Sequence, residues 1–309
     1  MVLPTCKIAL IIPCLNEEVT IAKVINDFRQ EFSAIDIYVI DNGSTDKTAD
    51  IARREGAVVL HESRKGKGHA VRRAFGKIDA DIYIMVDGDD TYDPKASTDM
   101  VARLIEEQLD MVVGIRKHDN DKAYRAGHEI GNHLFNKLFQ ILFGNQFTDI
   151  FSGYRVFSHA FVKSFPARSG GFEIETELSV HSANLHLATC EMETYYKERP
   201  EGSDSKLNTY IDGLRILRKM IDLLRQNKPM FFYGIFSALA LLGALLLGVP
   251  VILTYLETGL VPRFPSLIVS IGGLIVSLLI FMTGTILQTM LSFQAENRHL
   301  AYLAVKSKG

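Results

Sequence analysis

The sequence predicts an α/β domain on a mostly parallel sheet with flanking helices, followed by amphipathic interface helices and two transmembrane helices. Three observations carry that expectation. Short apolar runs alternate with helical stretches through the first half of the 309 residues, the polar motifs fall in the turns after those runs, and the last third holds two long uncharged segments.

Residues 8–12 read as a strand that stops at Pro13, after which Asn16, Glu17 and Glu18 lead into a helix over 19–32. Residues 35–40 are the second strand. It ends in Asp41-Asn42-Gly43-Ser44-Thr45-Asp46, and a helix over 47–55 follows, with Ser44 or Thr45 as its expected cap. Residues 57–60 give a short third strand. Arg64-Lys65-Gly66-Lys67-Gly68-His69-Ala70 then forms a basic, glycine-bearing loop that opens the next helix. The fourth strand is the apolar, β-branched run over 82–86, ending in Asp87-Gly88-Asp89-Asp90. Strands joined by helices in this order run parallel, so the turns after them share one edge of the sheet. Ligands bind at that edge in open α/β sheets.

Asp87 and Asp89 flank a residue without a side chain, so both can face one cation. Magnesium typically takes one or two protein carboxylates and leaves the rest of its shell to water and phosphate. The same acids, with Asp93 and Pro94, also suit a turn that caps the next helix. Gly66 and Gly68 allow close backbone approach and Lys67 supplies a point charge, which suits a diphosphate. Asp41 stands more than about 20 residues beyond the first strand's loop, where an acid commonly accepts from a ribose hydroxyl. No GxGxxG follows the first strand and no GxxxxGK[ST] occurs. Together the residues describe a nucleoside diphosphate held through magnesium or manganese.

Residues 230–255 and 264–293 contain no charge, and each exceeds the roughly 20 residues that cross a bilayer core. Arg215, Arg218, Lys219, Arg225 and Lys228 precede the first span, Arg298, Lys306 and Lys308 follow the second, and Arg263 alone is basic between them. The positive-inside tendency puts both termini and the α/β domain in the cytoplasm. Tyr210, Ile211, Leu214, Leu217, Ile221 and Leu224 recur at helical spacing among basic residues, the pattern of an in-plane membrane helix or of a helix packed on the domain. A further stripe, Ile130, Leu134, Leu138 and Leu142, fits an interface helix or core packing equally. A net charge of -2 makes no case for nucleic acid, and Cys6, Cys14 and Cys190 lack the spacing of a zinc or disulfide framework. The expected division is a cytosolic domain over 1–207, a juxtamembrane helix over 208–228, and a two-helix anchor with a short cytosolic tail over 229–309.

Ile12-Pro13-Cys14-Leu15-Asn16-Glu17-Glu18, the Asp41–Asp46 segment, Gly66-Lys67-Gly68 and Val86-Asp87-Gly88-Asp89 resemble successive motifs of the family 2 glycosyltransferases. The stretches Asp149-Ile150-Phe151-Ser152-Gly153-Tyr154-Arg155, Gly171-Phe172-Glu173-Ile174-Glu175-Thr176-Glu177 and Arg199-Pro200-Glu201-Gly202-Ser203-Asp204-Ser205-Lys206 resemble its polyprenyl-phosphate branch, the dolichol-phosphate mannose synthase-like and undecaprenyl-phosphate enzymes. The resemblance covers nearly the whole chain. It implies a GT-A fold and an inverting, metal-dependent transfer from a UDP- or GDP-linked sugar to undecaprenyl or dolichyl phosphate at the membrane. It places Pro13, Asn16, Glu17, Asp41, Asp46, Lys67, Asp87, Arg199 and Lys206 at the nucleotide sugar, and Asp87 with Asp89 at Mg2+ or Mn2+. Arg116, Arg125, Ser152 and Arg155 would meet the acceptor phosphate, and Asp149 with Asp89 would be catalytic. Thr91 stands where some relatives place a further metal-binding glutamine, so it is not counted. Another lipid-linked or polysaccharide acceptor, a nucleotide transfer, a non-catalytic membrane scaffold and a homo-oligomer all stay open. Glu175 suits either the sugar or a solvated face.

Overall fold

The computed structural model describes residues 6–117, 136–137, 139–140, 144, 147–167, 169–171, 173–197, 200, 218, 221–222 and 224–306. Arg125, Arg199 and Lys206 lie outside the described residues, as do most of the helices expected over 130–143 and 208–227.

The expected alternation is present. Strand β1 (Ile8–Cys14) leads through α1 (Ile21–Glu31) to β2 (Asp36–Asp41), and α2 (Thr48–Arg54) leads to β3 (Val58–His61). Helix α3 (Lys67–Lys77) then precedes β4 (Ile82–Met85), and α4 (Ala96–Glu106) precedes β5 (Met111–Lys117). Strand β6 (Arg155–Ser158), α5 (His159–Ser164), α6 (Ile174–Leu185) and β7 (Thr189–Tyr195) complete the sheet and its cover. The strand order is β3-β2-β1-β4-β6-β5-β7, with β6 antiparallel to both neighbours and every other pairing parallel.

Strand β1 is interior, flanked by β2 and β4, and six of its seven residues are buried, as in a sheet covered on both faces. Helix α1 meets the core through Ile21, Val24, Ile25 and Phe28, the i, i+3, i+4, i+7 stripe of an amphipathic helix. One expected cap is corrected. Asp46, rather than Ser44 or Thr45, accepts from the Thr48 N–H at 3.0 Å, because Ser44 and Thr45 are bonded instead to Asn16 of the β1 loop.

The described residues cluster into two compact units, one up to residue 213 together with those from 298 onward, the other over 214–297. The first unit takes in the C-terminal end because Tyr302, 4% exposed, donates to the Asp110 carboxylate at 2.8 Å. In the second unit lie helix α7 (Pro229–Thr258) and all of α8 (Phe264–Lys306) up to residue 297, with apolar windows of mean hydropathy 2.5 and 2.4. Only 22% and 17% of those windows is buried, unlike the core helices of a soluble protein. The two helices are long and apolar enough to cross a membrane. They pair through small side chains: Ser237 and Ser277 each donate to the other's carbonyl at 2.9 Å, and Ser270 donates to Ala244 O at 2.8 Å. Gly273 and Gly284 lie in this interface, whereas Gly272 faces open space.

Candidate active site

Strand β4 delivers Asp87 and Asp89 beyond its C-terminal end, on the edge where β1 and β2 also finish. Gly88 is needed between them, because a Cβ there would lie 2.7 Å from the Cys14 sulfur. Thr20 donates to Gly88 O at 2.6 Å and Thr91 donates to Asp89 at 2.7 Å, which fixes the turn from both sides. Asp90 adopts φ 57° and receives Lys23 at 3.0 Å and Lys197 at 2.8 Å. It therefore ties the turn to α1 and to the chain after β7.

Opposite Asp87 stands the basic loop. Gly66, at φ 125°, and Gly68 lie so near the 169–171 backbone that a Cβ would fall 2.1 Å from Gly170 O or 2.2 Å from Ser169 O. This docking sets the start of α3, and the Lys67 ammonium is held between Asp87 and Glu175, the latter at 2.5 Å. Burial opposes the charge on Lys67, yet the two carboxylates outweigh it and raise its pKa. Burial also pushes Glu175 upward, with Lys67 opposing that shift. Among the described residues no three His, Cys, Asp or Glu side chains form a metal cage. A hard cation that takes one or two carboxylates and fills its shell from water and phosphate fits such a site. The fit rests on Asp87 itself, which already attracts a cation in the form of the Lys67 ammonium.

Asp41, 6% exposed, accepts from the Ser44 N–H at 3.0 Å and sits 3.0 Å from His61 Nδ1. Burial works against its charge, but the Ser44 bonds and His61 hold the carboxyl below the usual range. Across the site, Arg116 near the end of β5 grips Asp149 at two points, Nε to Oδ2 at 2.8 Å and Nη2 to Oδ1 at 2.7 Å. The guanidinium lies 5.7 Å from the centroid of the Tyr196 ring. Arg116 outweighs the desolvation of Asp149 and holds its pKa low, so the carboxylate is ionised at neutral pH.

A profile described as glycosyl transferase family 2 matches residues 9–165, about half of the chain. Glycosyltransferase AglJ of Haloferax volcanii is 34% identical over 291 residues, covering 94% of this chain and 95% of the relative. The chain belongs to glycosyl transferase family 2. A dolichyl-phosphate hexose transferase of the same organism is 26% identical to this glycosyltransferase over 69% of the chain and 92% of the relative. Among solved structures, glucosyl-3-phosphoglycerate synthase from Mycobacterium tuberculosis with Mn2+ and UDP-glucose superposes with a TM-score of 0.58 at 23% identity. That match covers 71% of this chain and 78% of the other. The likeness establishes the GT-A fold.

The glycosyltransferase brings Lys67, Asp87, Asp89, Arg116 and Asp149 to the same sheet edge, with Pro13 and Asp41 at the ends of β1 and β2. Asn16, Glu17 and Asp46 lace the first two loops together: Thr45 N donates to Asn16, Glu17 N to Thr48, and Glu18 N to Asp46. Two expectations are corrected. Ser152 is fully buried and donates to Gly114 O at 2.6 Å. Arg155, also fully buried, donates to Ser152 O at 3.0 Å, Ile150 O at 2.9 Å and Ser179 at 3.1 Å. Both fasten the loop before β6, with their polar atoms bonded inside the fold. Glu175 does not lie on a solvated face; it is 3% exposed in the first turn of α6. Tyr196 escaped sequence reading because nothing in its neighbours marks it as a platform for Arg116.

Proposed function

We propose that this glycosyltransferase moves a hexosyl unit, with inversion, from a nucleoside-diphosphate sugar to a polyprenyl phosphate at the cytoplasmic face of a membrane. The observation that carries the reading is the meeting of Asp87 and Asp89 with the Gly66-Lys67-Gly68 loop at one sheet edge, in a chain that also holds two membrane-length helices. Acids for a cation beside a fixed ammonium suit a departing diphosphate. A polyprenyl acceptor explains why the catalytic unit has its own anchors, and the name of the dolichyl-phosphate relative supports the same class. The division proposed is a catalytic domain over 1–207, a juxtamembrane helix over 208–228 and the anchor over 229–309.

Asp87 and Asp89 would hold Mg2+ or Mn2+, which supplies positive charge at the leaving diphosphate. Lys67 adds a point charge on the same side, and Asp41 accepts from a ribose hydroxyl near Pro13. Arg116 faces the incoming phosphate. Asp149 orients that guanidinium through its two-point contact and acts as a positioning residue. No strong base is required, because a phosphate monoester loses its second proton near pH ~6 and arrives as a nucleophile.

The test is transfer of label from a panel of UDP- and GDP-sugars into the organic phase, using purified protein and polyprenyl phosphate. Transfer from one donor, abolished by EDTA and by Asp89→Ala, is expected. Nucleotide binding without transfer from any donor would overturn the reading.

A further inference from the structure

The Lys67 ammonium sits between carboxylates from two elements, Asp87 after β4 and Glu175 at the start of α6. Its side chain is only 10% exposed and that of Glu175 only 4%. The place is fixed by backbone. Gly66 and Gly68 lock against residues 169–171, and a Cβ on Gly153 would lie 2.5 Å from Asp87 Oδ2 and 2.9 Å from Lys67 Nζ. The second carboxylate oxygen of Glu175 is buried and has no hydrogen-bond partner among the described residues. This buried acid, already paired with Lys67 through its other oxygen, therefore has unused accepting capacity.

We infer that Lys67 is an internal cation that stands in for the metal at Asp87, and that it is handed to Glu175 and the donor diphosphate when metal and nucleotide arrive together. The inference rests on the donor-site reading above. Its physical basis is charge. Glu175, with its side chain 4% exposed, and the partly exposed Asp87 share one cation, and a metal arriving alone must expel the ammonium from Asp87 into a site with Glu175 as its remaining partner. A diphosphate offers that ammonium new anionic oxygens. Metal and nucleotide thus each bind more tightly in the presence of the other, by the same factor. Glu175 is a positioning residue, keeping the displaced lysine in the pocket.

Mn2+ binding to full-length protein in detergent, followed by loss of the free-ion electron paramagnetic resonance signal with and without UDP or GDP, tests this directly. Wild type is expected to bind Mn2+ weakly alone and about tenfold or more tightly with nucleotide. Lys67→Met and Lys67→Gln should tighten binding of Mn2+ alone by about tenfold and shrink the nucleotide enhancement. Glu175→Gln should weaken it, because Lys67 is then left to Asp87. Lys65→Met removes an exposed charge two residues away and should change little. Thermal melts identify any variant that fails to fold, and two Lys67 substitutions guard against one failing. Unchanged or weaker Mn2+ binding in folded Lys67 variants overturns the inference, as does an equal gain in Lys65→Met. If transfer activity is present in wild type, such a result removes the lysine exchange alone; absence of Mn2+ binding under every condition removes the metal reading with it.

Discussion

Asp149 and Arg116 form a two-point contact with side chains 10% and 16% exposed, so their charges are only partly screened. Asp149→Asn keeps the shape and removes the charge that aims Arg116. The expected result is a fall in kcat on the order of 10²-fold with donor KM little changed, measured by transfer kinetics at saturating acceptor. Linkage gives a second outcome. Asp41 and Asp149 both have folded pKa values below the ordinary 3.8, so their contribution to stability is full above that value and is lost as pH falls through the folded pKa. Urea unfolding should therefore show level stability from these groups between about pH 7 and 5 and a decline below about pH 4, with a shallower acid limb in Asp149→Asn. Arg155 should behave differently from Arg116. Removing its buried bonds in Arg155→Met should destabilise the fold by about 2–4 kcal/mol and leave acceptor KM unchanged in the folded fraction. A selective rise in acceptor KM would instead return Arg155 to the phosphate site. Nothing in the sequence separates the two arginines, since only three-dimensional packing shows that Arg155 faces Ser152, Ile150 and Ser179.

Strands β1 to β4 were legible because each is a short apolar run ending in turn residues, and the motifs after them fell on one edge as parallel connections require. The antiparallel β6 was not legible, because its place between β4 and β5 is set by pairing distant in sequence. The same limit hid the partners of Lys67. The Gly66-Lys67-Gly68 motif could be read as a close backbone approach, but the carbonyls it approaches come from residues about a hundred positions later. That docking has a measurable consequence. Gly66→Ala combines strain at φ 125° with a Cβ 2.1 Å from Gly170 O, a backbone atom that cannot swing aside, and should cost about 2–3 kcal/mol with loss of nucleotide binding. Gly43→Ala meets only the strain of φ 81°, with nothing within 4 Å of the added Cβ, and should cost about 1 kcal/mol. Melting curves and nucleotide titrations of the pair separate loop docking from backbone strain; equal losses would show that the 169–171 contact is unimportant.

At 30 and 43 residues, α7 and α8 measure about 45 and 64 Å at 1.5 Å per residue, against a bilayer core of about 30 Å. The excess length of α8 lies toward its C-terminal end, where Glu296, Arg298 and Lys306 bring the charge absent from the span. Within the first unit that end supplies Tyr302 to Asp110, the residue just before β5. Under the proposed function, an anchor in the same chain as the catalytic unit changes what concentration means for a lipid acceptor. Once enzyme and acceptor share one membrane, encounters occur in two dimensions and depend on lipid surface density, as tethering replaces bulk concentration by a local one. In vesicles holding both, the initial transfer rate should follow the mole fraction of polyprenyl phosphate and stay constant when vesicles are diluted severalfold in buffer at saturating donor. A rate that falls in proportion to dilution would mean that acceptor is captured from solution, and the two apolar helices would then need a role other than holding the enzyme beside its substrate.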